Sequence, residues 1–239
     1  MAFKPKGFLG TIFPNLFLTK KCFSQCGEEL VITALMRQVG QKGTGFYVDV
    51  GAFHPHTGSN TYYFYRLGWR GVNIDARPGS MKLFDQKRPR DINIETGIGS
   101  SDGKMKYFML QDEPGMNTFS FETLQSCGME HKVTSTIEVP ITTMGKIQRQ
   151  HVPADTHIDF VSIDTEGHEM EVLMGFDFDL HRPTVFAIEL NDVLSIRDTA
   201  ANPVNRFMED KGYVAVAKNV ISLNVATVFY LEGSLVSRN

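Results

Sequence analysis

The chain has 239 residues, of which 42% are hydrophobic and 21% are charged, and its formal net charge is −3. These values are typical of a globular protein with a sizeable core, and the small negative charge provides no basic surface for nucleic acid. The three cysteines, Cys22, Cys26 and Cys127, cannot all pair within the chain. This favours a reducing, cytoplasmic location.

The first 21 residues combine early lysines with an apolar middle that Pro14 and Asn15 interrupt. The apolar run is too short to span a membrane, and no small-residue cleavage site follows it. We therefore expect an arm that packs on the domain, with a peripheral membrane contact as the alternative. Ser24 then caps a helix that Gly40 ends.

The most informative stretch is residues 45–60, which read GFYVDVGAFHPHTGSN. Phe46–Val50 is β-branched and aromatic, which predicts a buried strand, and the strand breaks at Gly51. Ser59 or Asn60 is placed to cap the helix that follows. A strand, a glycine-bearing loop and a helix N-terminus in this order bind nucleotide-like ligands beyond the carboxyl end of the strand.

The glycine spacing of this stretch argues against a dinucleotide. A dinucleotide site has the pattern G-x-G-x-x-G, whereas Gly51 and Gly58 lie seven residues apart. Asp49 stands at the mouth of the first strand, where it would repel a pyrophosphate. Asp75 ends a second predicted strand, where it can accept hydrogen bonds from ribose hydroxyls. Two acids in these places suit S-adenosylmethionine, which carries an ammonium, a sulfonium and a ribose.

Further elements follow in chain order. The patterns predict helices over residues 61–67, 80–86 and 143–150, strands over 71–75, 92–96 and 137–142, and a hairpin through 101–110 that extends one edge of the sheet. Residues 111–135 have no clean period, which is typical of a lid or substrate loop. The basic cluster of Lys82, Lys87, Arg88 and Arg90 favours a solvated face, with contact to an anionic substrate such as a nucleotide sugar as the alternative.

A second informative stretch begins with a strand over residues 158–164 and continues as a helix to residue 175. A strand over 184–189, a helix that closes over 206–212 and two strands over 213–218 and 226–231 complete the sheet. Because the carboxyl ends of parallel strands meet at one edge, Asp164, Glu166 and Glu189 would rim one crevice. Three carboxylates permit Mg²⁺ there. Cofactor hydrogen bonds also account for such a cluster, so no metal site is assigned.

Three segments together resemble the FkbM-type methyltransferases: VDVGAFHPHTGSNTYYFYRLGWRGVNIDARPGS, RPRDINIETGIGSSDG and DFVSIDTEGHEMEVLMGF. The residues SQCGEE at 24–29 are similar to a segment that precedes the domain in many members. We expect this segment to cap and begin the helix, and the resemblance suggests as the alternative that Ser24, Gln25 and Glu28 reach the methionine end of the cofactor. The resemblance covers residues 24–190. It implies a Rossmann-like class I methyltransferase fold of the α/β class, with a mostly parallel seven-stranded sheet and helices on both faces.

The resemblance also implies an S-adenosylmethionine-dependent O-methyltransferase. Such an enzyme acts on a hydroxyl of a sugar, glycan or polyketide-type molecule and releases S-adenosylhomocysteine. The cofactor residues expected from the motifs are Asp49, Gly51, Ala52, Ser59, Asn60, Asp75, Ala76, Gly97, Ile98 and Asp164.

The reacting centre is predicted at Asp164, Glu166 and His168, and the substrate contacts at His54, Asn117 and Glu189. His168 titrates near neutral pH if it is unperturbed. Glu166 would act as a base if clustered carboxylates raise its pKa. Glu166 and His168 are also able to serve only as caps of the helix that follows.

We expect one domain over residues 1–239. An N-terminal arm and helix reach residue 44, and a Rossmann-like core follows with a hairpin and substrate loop over 100–142. Two other functions stay open at this point. One is a nicotinamide-dependent oxidoreductase, which the glycine spacing disfavours. The other is a non-catalytic module that binds a sugar or a partner in the same crevice.

Overall fold

The structure, a computed structural model, describes residues 22–236. The strands in this range are β1 (Phe46–Val50), β2 (Arg70–Asp75), β3 (Ile92–Glu95), β4 (Gly97–Ile98), β5 (Gly103–Leu110), β6 (Val133–Thr142), β7 (Phe160–Ile163), β8 (Val185–Asn191), β9 (Tyr213–Val220) and β10 (Val225–Glu232). The α-helices are α1 (Glu28–Gln38), α2 (Tyr62–Arg66), α3 (Met81–Lys87), α4 (Phe121–Ser126), α5 (Met144–His151), α6 (Glu169–Met174), α7 (Ile196–Ala201), α8 (Pro203–Asp210) and α9 (Gly233–Val236).

Seven strands form one sheet in the order β3-β2-β1-β7-β8-β10-β9. The first five of these are parallel to one another, whereas β10 runs antiparallel to both β8 and β9. The chain moves outward from β1 to β3 and then restarts on the other side of β1 with β7. The topological switch point therefore lies between the carboxyl ends of β1 and β7, which is where open α/β sheets bind ligands.

The residues of β1 alternate between two cores, one on each face of the sheet. Val48 and Val50 pack with Val161 and other residues of one core, whereas Tyr47 packs with Phe160 in the other. This is the two-residue period of a strand. All five residues of β1 are buried, as expected for a parallel strand with helices on both faces. The predicted fold class is thus confirmed.

A second, three-stranded sheet has the order β4-β6-β5. The prediction of a hairpin that extends the main sheet was wrong, because β6 lies between β4 and β5 and neither sheet shares a strand with the other. The physical reason is a local core. Tyr107 of β5 packs with Val139 and Ile141 of β6 and with Phe119, so the apolar side chains of this excursion are buried against one another.

The predicted loop over residues 111–135 contains more structure than its sequence indicates. Two 3₁₀ turns, Pro114–Met116 and Glu130–Lys132, flank α4. The Ser120 side chain caps α4 by accepting a hydrogen bond from the backbone N–H of Thr123 at 3.1 Å. Helix α7 was not predicted.

The basic cluster predicted as a solvated face is not a continuous surface. Arg88 is completely buried and forms an ion pair with Asp91 at 2.8 Å. Arg90 lies against the Tyr65 ring, 3.9 Å from its centroid, and its Nη2 donates to the Tyr65 carbonyl oxygen. The four cations therefore do not form one surface for an anionic substrate, because Arg88 and Arg90 are engaged by the protein itself.

The predicted N-terminal arm and its alternative membrane contact lie outside the described residues. Helix α1 begins within them and packs its Ile32, Leu35 and Met36 side chains on the core that contains Tyr47. Between residues 22 and 236, no helix combines the length and the apolar character that crossing a bilayer requires.

Candidate active site

Gly51 occupies the tightest point of the switch region. Its N–H donates to the Ile74 carbonyl oxygen at 2.9 Å, and the Asp164 N–H donates to the Val50 carbonyl oxygen at 2.9 Å. Gly51 has φ of 80°, and a Cβ at this position would overlap the Asp164 carbonyl oxygen. Only glycine permits this close approach of the loop after β1 to the loop after β7.

Two cavities meet at Gly51, with volumes of about 50 and 300 Å³. They share Phe53, Gly115, Asp164 and Glu166 in their linings. Each of the ten predicted cofactor residues lines at least one cavity. Asp75, Ala76, Gly97, Ile98 and the predicted substrate residue Asn117 line the first, and Asp49, Ala52, Ser59 and Asn60 line the second, together with Gln25.

Asp75 is buried at the end of β2 and fixes the loop after β1. Its Oδ2 accepts the Phe53 N–H at 2.9 Å, and its Oδ1 accepts the Arg77 N–H at 2.8 Å. Burial raises the pKa of Asp75, and the Arg77 backbone hydrogen bond acts in the opposite direction. Each carboxylate oxygen has a further lone pair, so both can still accept a hydroxyl of a ligand in the first cavity.

Asn60 and Ser59 link the helix after the glycine loop to the sheet. Asn60 Nδ2 donates to the Ser162 hydroxyl on β7 at 3.0 Å, and Ser59 Oγ accepts the Tyr62 N–H at 3.1 Å. The N-cap of α2 is Thr61, so the prediction of Ser59 or Asn60 at that position was wrong, although Ser59 still supplies the acceptor for the first N–H of the helix. Ser162 was not predicted as a site residue, because nothing in a run of strand residues distinguishes it.

Two residues shared by the cavities have left-handed backbones. Phe53 has φ of 50° and Glu166 has φ of 54°. Such conformations are strained for residues other than glycine and persist only where the surroundings hold them. The bond from Phe53 N–H to Asp75 holds the first, and the Thr118 hydroxyl, which donates to the Glu166 carbonyl oxygen at 2.7 Å, holds the second. The sequence gives no signal for either conformation.

Three carboxylates converge beside Gly51. Oxygens of Asp164, Glu166 and Glu189 lie within 4.8 Å of one another. Burial, followed by the charges of Asp164 and Glu169, raises the pKa of Glu166 to about 9. Burial, followed by Glu166 and other acids, raises that of Glu189 to about 8. Asp164 has a buried Oδ1 without a hydrogen-bond partner among the described residues.

Glu169 organises the loop that carries these acids, although it was not predicted as a site residue. Its Oε1 accepts hydrogen bonds from the Thr165 N–H, the Thr165 hydroxyl and the Gly167 N–H, each at 3.0 Å. A carboxylate in the first turn of a helix is favourable because it faces unpaired N–H groups. Its place in the first turn of a predicted helix was the signal available in the sequence.

His168 lies apart from the other predicted catalytic residues. It is buried beside the Phe119 ring, with ring centroids 5.1 Å apart, and it lines a different cavity together with Gly99 and Glu171. Burial lowers its pKa. The expectation that it faces the reacting centre is therefore corrected: the left-handed Glu166 and Gly167 turn the chain so that His168 stands at the N-cap of α6.

The three predicted substrate residues lie in different parts of the structure. Asn117 lines the first cavity and Glu189 belongs to the carboxylate cluster. His54 lines neither cavity at Gly51. Its Nδ1 accepts the N–H groups of His56 at 3.1 Å and Thr57 at 3.0 Å, so it shapes the loop after β1.

The strand order, the antiparallel last pair and the acid-lined crevice at the switch point define a Rossmann-like class I methyltransferase. The family model for the methyltransferase FkbM domain matches residues 49–215. The chain belongs to this family, and it is an S-adenosylmethionine-dependent methyltransferase. The predicted family is thereby confirmed.

Solved structures resemble the chain at low sequence identity. The O-methyltransferase TomG of Streptomyces achromogenes, in complex with S-adenosylmethionine, is 14% identical, with a TM-score of 0.44 over 86% of this chain and 79% of that one. A TehB-like methyltransferase of Corynebacterium glutamicum is 9% identical, with a TM-score of 0.43 over 93% and 95%. TrmK of M. capricolum, in complex with S-adenosylhomocysteine, is 9% identical, with a TM-score of 0.43 over 83% and 67%. No curated protein sequence matches the chain.

Proposed function

We propose that the chain transfers the methyl group of S-adenosylmethionine to a hydroxyl of a sugar, glycan or polyketide-type acceptor. The observation that carries this proposal is the convergence of Asp164, Glu166 and Glu189 at the junction of the two cavities. A donor that spans both cavities would have its sulfonium at this junction.

The two cavities suit the two ends of the donor. In the first, Asp75 is placed to accept the ribose hydroxyls, and Gly97 and Ile98 offer an apolar floor to the adenine. In the second, Asp49, Gln25 and Asn60 provide polar groups for the ammonium and carboxylate of the methionine end. Asp164 lines both cavities, and its buried Oδ1, which has no hydrogen-bond partner among the described residues, would be stabilised by a positive charge nearby.

The bound donor supplies an electrophilic methyl group on a leaving sulfur. The carbon–sulfur bond would break as the carbon–oxygen bond forms, and the hydroxyl proton would pass to Glu166, which we propose as the base. Because burial raises the pKa of Glu166 to about 9, this side chain holds a proton near neutral pH in the ligand-free protein. The positive charge of the bound donor would favour the ionised form that accepts the proton. A positioned base of this kind contributes about 10²–10⁴-fold. Asp164 and Glu189 orient the acceptor hydroxyl, and alignment of the reactants lowers the barrier by roughly 7–11 kcal/mol.

The charge of the site restricts the charge of the acceptor that can bind there. Asp164, Glu166 and Glu189 stand at the junction, and Glu113 lines the second cavity. Once the positive charge of the bound donor favours their ionised forms, these acids would repel an anion at short range. We therefore propose an acceptor that is neutral or cationic where it meets the junction, which a sugar hydroxyl satisfies.

The experiment combines donor binding with product analysis. The purified chain is titrated by calorimetry with S-adenosylmethionine, S-adenosylhomocysteine and NAD, and is then incubated with the donor and a panel of glycans and polyketides. We expect binding of the first two ligands only, and a product heavier than its acceptor by one CH₂ group. Products methylated on nitrogen or carbon, or binding of NAD alone, would overturn the proposal. A Glu166→Gln variant serves as the control for enzyme-dependent transfer.

A further inference from the structure

Arg88 is completely buried and does not line the second cavity, although its Nη1 lies 3.4 Å from Oγ of Ser59, which does. We propose that Arg88 is a positioning residue of the donor site, which acts through the Thr61 hydroxyl to hold Asp49 as an oriented, ionised partner for the ammonium group of the donor. This inference rests on the proposed function, because it assigns the methionine end of the donor to the cavity that Asp49 lines.

The guanidinium of Arg88 donates to four hydrogen-bond acceptors, the most distant of which is Ser59 Oγ, 3.4 Å from Nη1. Nε donates to Asp91 Oδ2 at 2.8 Å, Nη2 donates to the Tyr47 hydroxyl at 2.7 Å, and Nη1 donates to Thr61 Oγ1 at 2.9 Å. The charge also lies over the rings of Tyr47, Tyr65 and Phe84, at 5.3 to 5.5 Å from their centroids. The planar fork of arginine suits this arrangement, and the ammonium of lysine cannot reproduce it.

Thr61 connects this cation to the donor site. Its Oγ1 accepts from Arg88 and donates to Asp49 Oδ2 at 2.6 Å. A hydroxyl has one proton, so the bond to Asp49 sets its direction. A hydroxyl between a cation and a carboxylate is polarised from both ends, and such bonds are stronger than neutral ones. Thr61 is completely buried, so water does not compete for either bond.

Asp91 does not cancel the effect of Arg88 on Asp49. Its carboxylate also accepts hydrogen bonds from the Tyr47 hydroxyl at 2.8 Å, the Gly71 N–H at 3.0 Å and the Asn73 side-chain amide at 3.0 Å. These donors stabilise the charge of Asp91 from three sides. The positive charge of Arg88 therefore still lowers the pKa of Asp49, although Arg88 also forms an ion pair with Asp91.

Asp49 needs such support because its surroundings oppose its charge. Burial raises the pKa of Asp49, whereas the Thr61 hydrogen bond and the charge of Arg88 lower it, and Asp91 raises it again. Asp164 is a further acid whose charge interacts with Asp49. Without the Thr61 bond the balance shifts towards the neutral acid, which attracts an ammonium group far less than a carboxylate does.

The test replaces the hydroxyl and measures donor binding as a function of pH. Thr61→Val keeps the shape of the side chain and removes the relay, and Thr61→Ser restores the hydroxyl. Thr199→Val is the matched control, because it removes a buried threonine hydroxyl that lines neither cavity. Affinity for S-adenosylmethionine is measured by calorimetry between about pH 6 and pH 9, and folding is checked by thermal unfolding. The donor's own ammonium titrates equally in all variants.

We expect Thr61→Val to weaken binding by about tenfold or more near neutral pH, with a loss that deepens as the pH falls. Thr61→Ser should follow the wild type, and Thr199→Val should bind the donor with the wild-type pH profile of affinity. Should Thr61→Val fail to fold, Thr61→Cys takes its place, because a thiol is a weak donor. Wild-type affinity of the hydroxyl-free variant at every pH would overturn the inference. Absence of donor binding by the wild type would instead overturn the proposed function.

Discussion

A Cβ added to Gly51 would overlap the carbonyl oxygen of Asp164, so the loop after β1 and the loop after β7 are packed backbone to backbone. This contact brings the two cavities together at the acids of the second loop. The glycine is therefore required by the neighbouring loop, independently of any ligand.

Gly51→Ala should abolish donor binding. A left-handed alanine costs about 1–2 kcal/mol, and the overlap with Asp164 adds a displacement of one of the loops. Gly40→Ala is the matched control, because Gly40 has φ of 78° and no atom near its added Cβ. Thermal unfolding and calorimetry with S-adenosylhomocysteine measure both effects. A Gly51→Ala protein that binds as the wild type does would contradict the packing argument.

Glu166→Gln should lower the rate of methyl transfer by about 10²–10⁴-fold, because an amide cannot take the hydroxyl proton. His168→Ala should change the rate far less, since the imidazole lines another cavity. Single-turnover assays with saturating donor separate the chemical step from binding. The reverse order of the two effects would assign the base to His168.

Asp75→Ala should weaken donor binding by about 10- to 100-fold, because a hydrogen bond to a charged group contributes about 1.5–3 kcal/mol. The exposed Asp85→Asn is the control for loss of a nearby charge. An S-adenosylhomocysteine analogue without ribose hydroxyls distinguishes the cause. If Asp75 binds those hydroxyls, the substitution should not weaken binding of the analogue further, and an equal loss for both ligands would remove the ribose role.

The ligand-free protein should be less stable at about pH 9 than at about pH 6. The folded-state pKa values of Glu166 and Glu189, about 9 and about 8, lie above the ordinary value of 4.5. Their contribution to stability is therefore complete below about pH 4.5 and is lost as the pH rises through 8 to 9. Glu189→Gln should flatten this decline, and the exposed Glu138→Gln should not. Thermal unfolding against pH is the measurement, and identical slopes for all three proteins would refute the assignment.

Chelation of divalent cations should leave methyl transfer unchanged, because the proposed base needs no metal. The three oxygens of Asp164, Glu166 and Glu189 are close enough to hold Mg²⁺, so the test is informative. Assays with and without EDTA, followed by added Mg²⁺, decide the matter. A loss of activity that Mg²⁺ restores would put a cation at this cluster.

The strands and the family motifs could be predicted from the sequence because their signals are local. The apolar runs at Phe46–Val50 and Phe160–Ile163 are long enough to indicate buried strands. The acids that follow them are placed by the topology of a parallel sheet. For this reason the ten predicted cofactor residues lie together, although their roles in binding stay predictions.

The parts that could not be predicted depend on contacts between distant segments or on backbone angles. Strand β6 inserts between β4 and β5 because side chains that lie about 30 residues apart in the chain pack into a small core. His168 is turned away by two left-handed residues that have no sequence signature. The sequence predicts Arg88 to be a surface cation. Its burial is explained by acceptors at Thr61, Tyr47 and Asp91, which the sequence does not indicate.

The segment from Gly103 to Thr142 stands outside the main sheet, between β3 and β7 in the chain, and it begins after Gly97 and Ile98, which are proposed to meet the adenine. It contributes Asn117 and Gly115 to the cavities, whereas the loops after β1 and β7 follow strands of the main sheet. Replacement of this one continuous segment by that of another family member would thus exchange the outer wall of the crevice while the donor-facing glycine and its acids remain. The fold therefore offers a single graft by which acceptor preference can be altered separately from donor recognition.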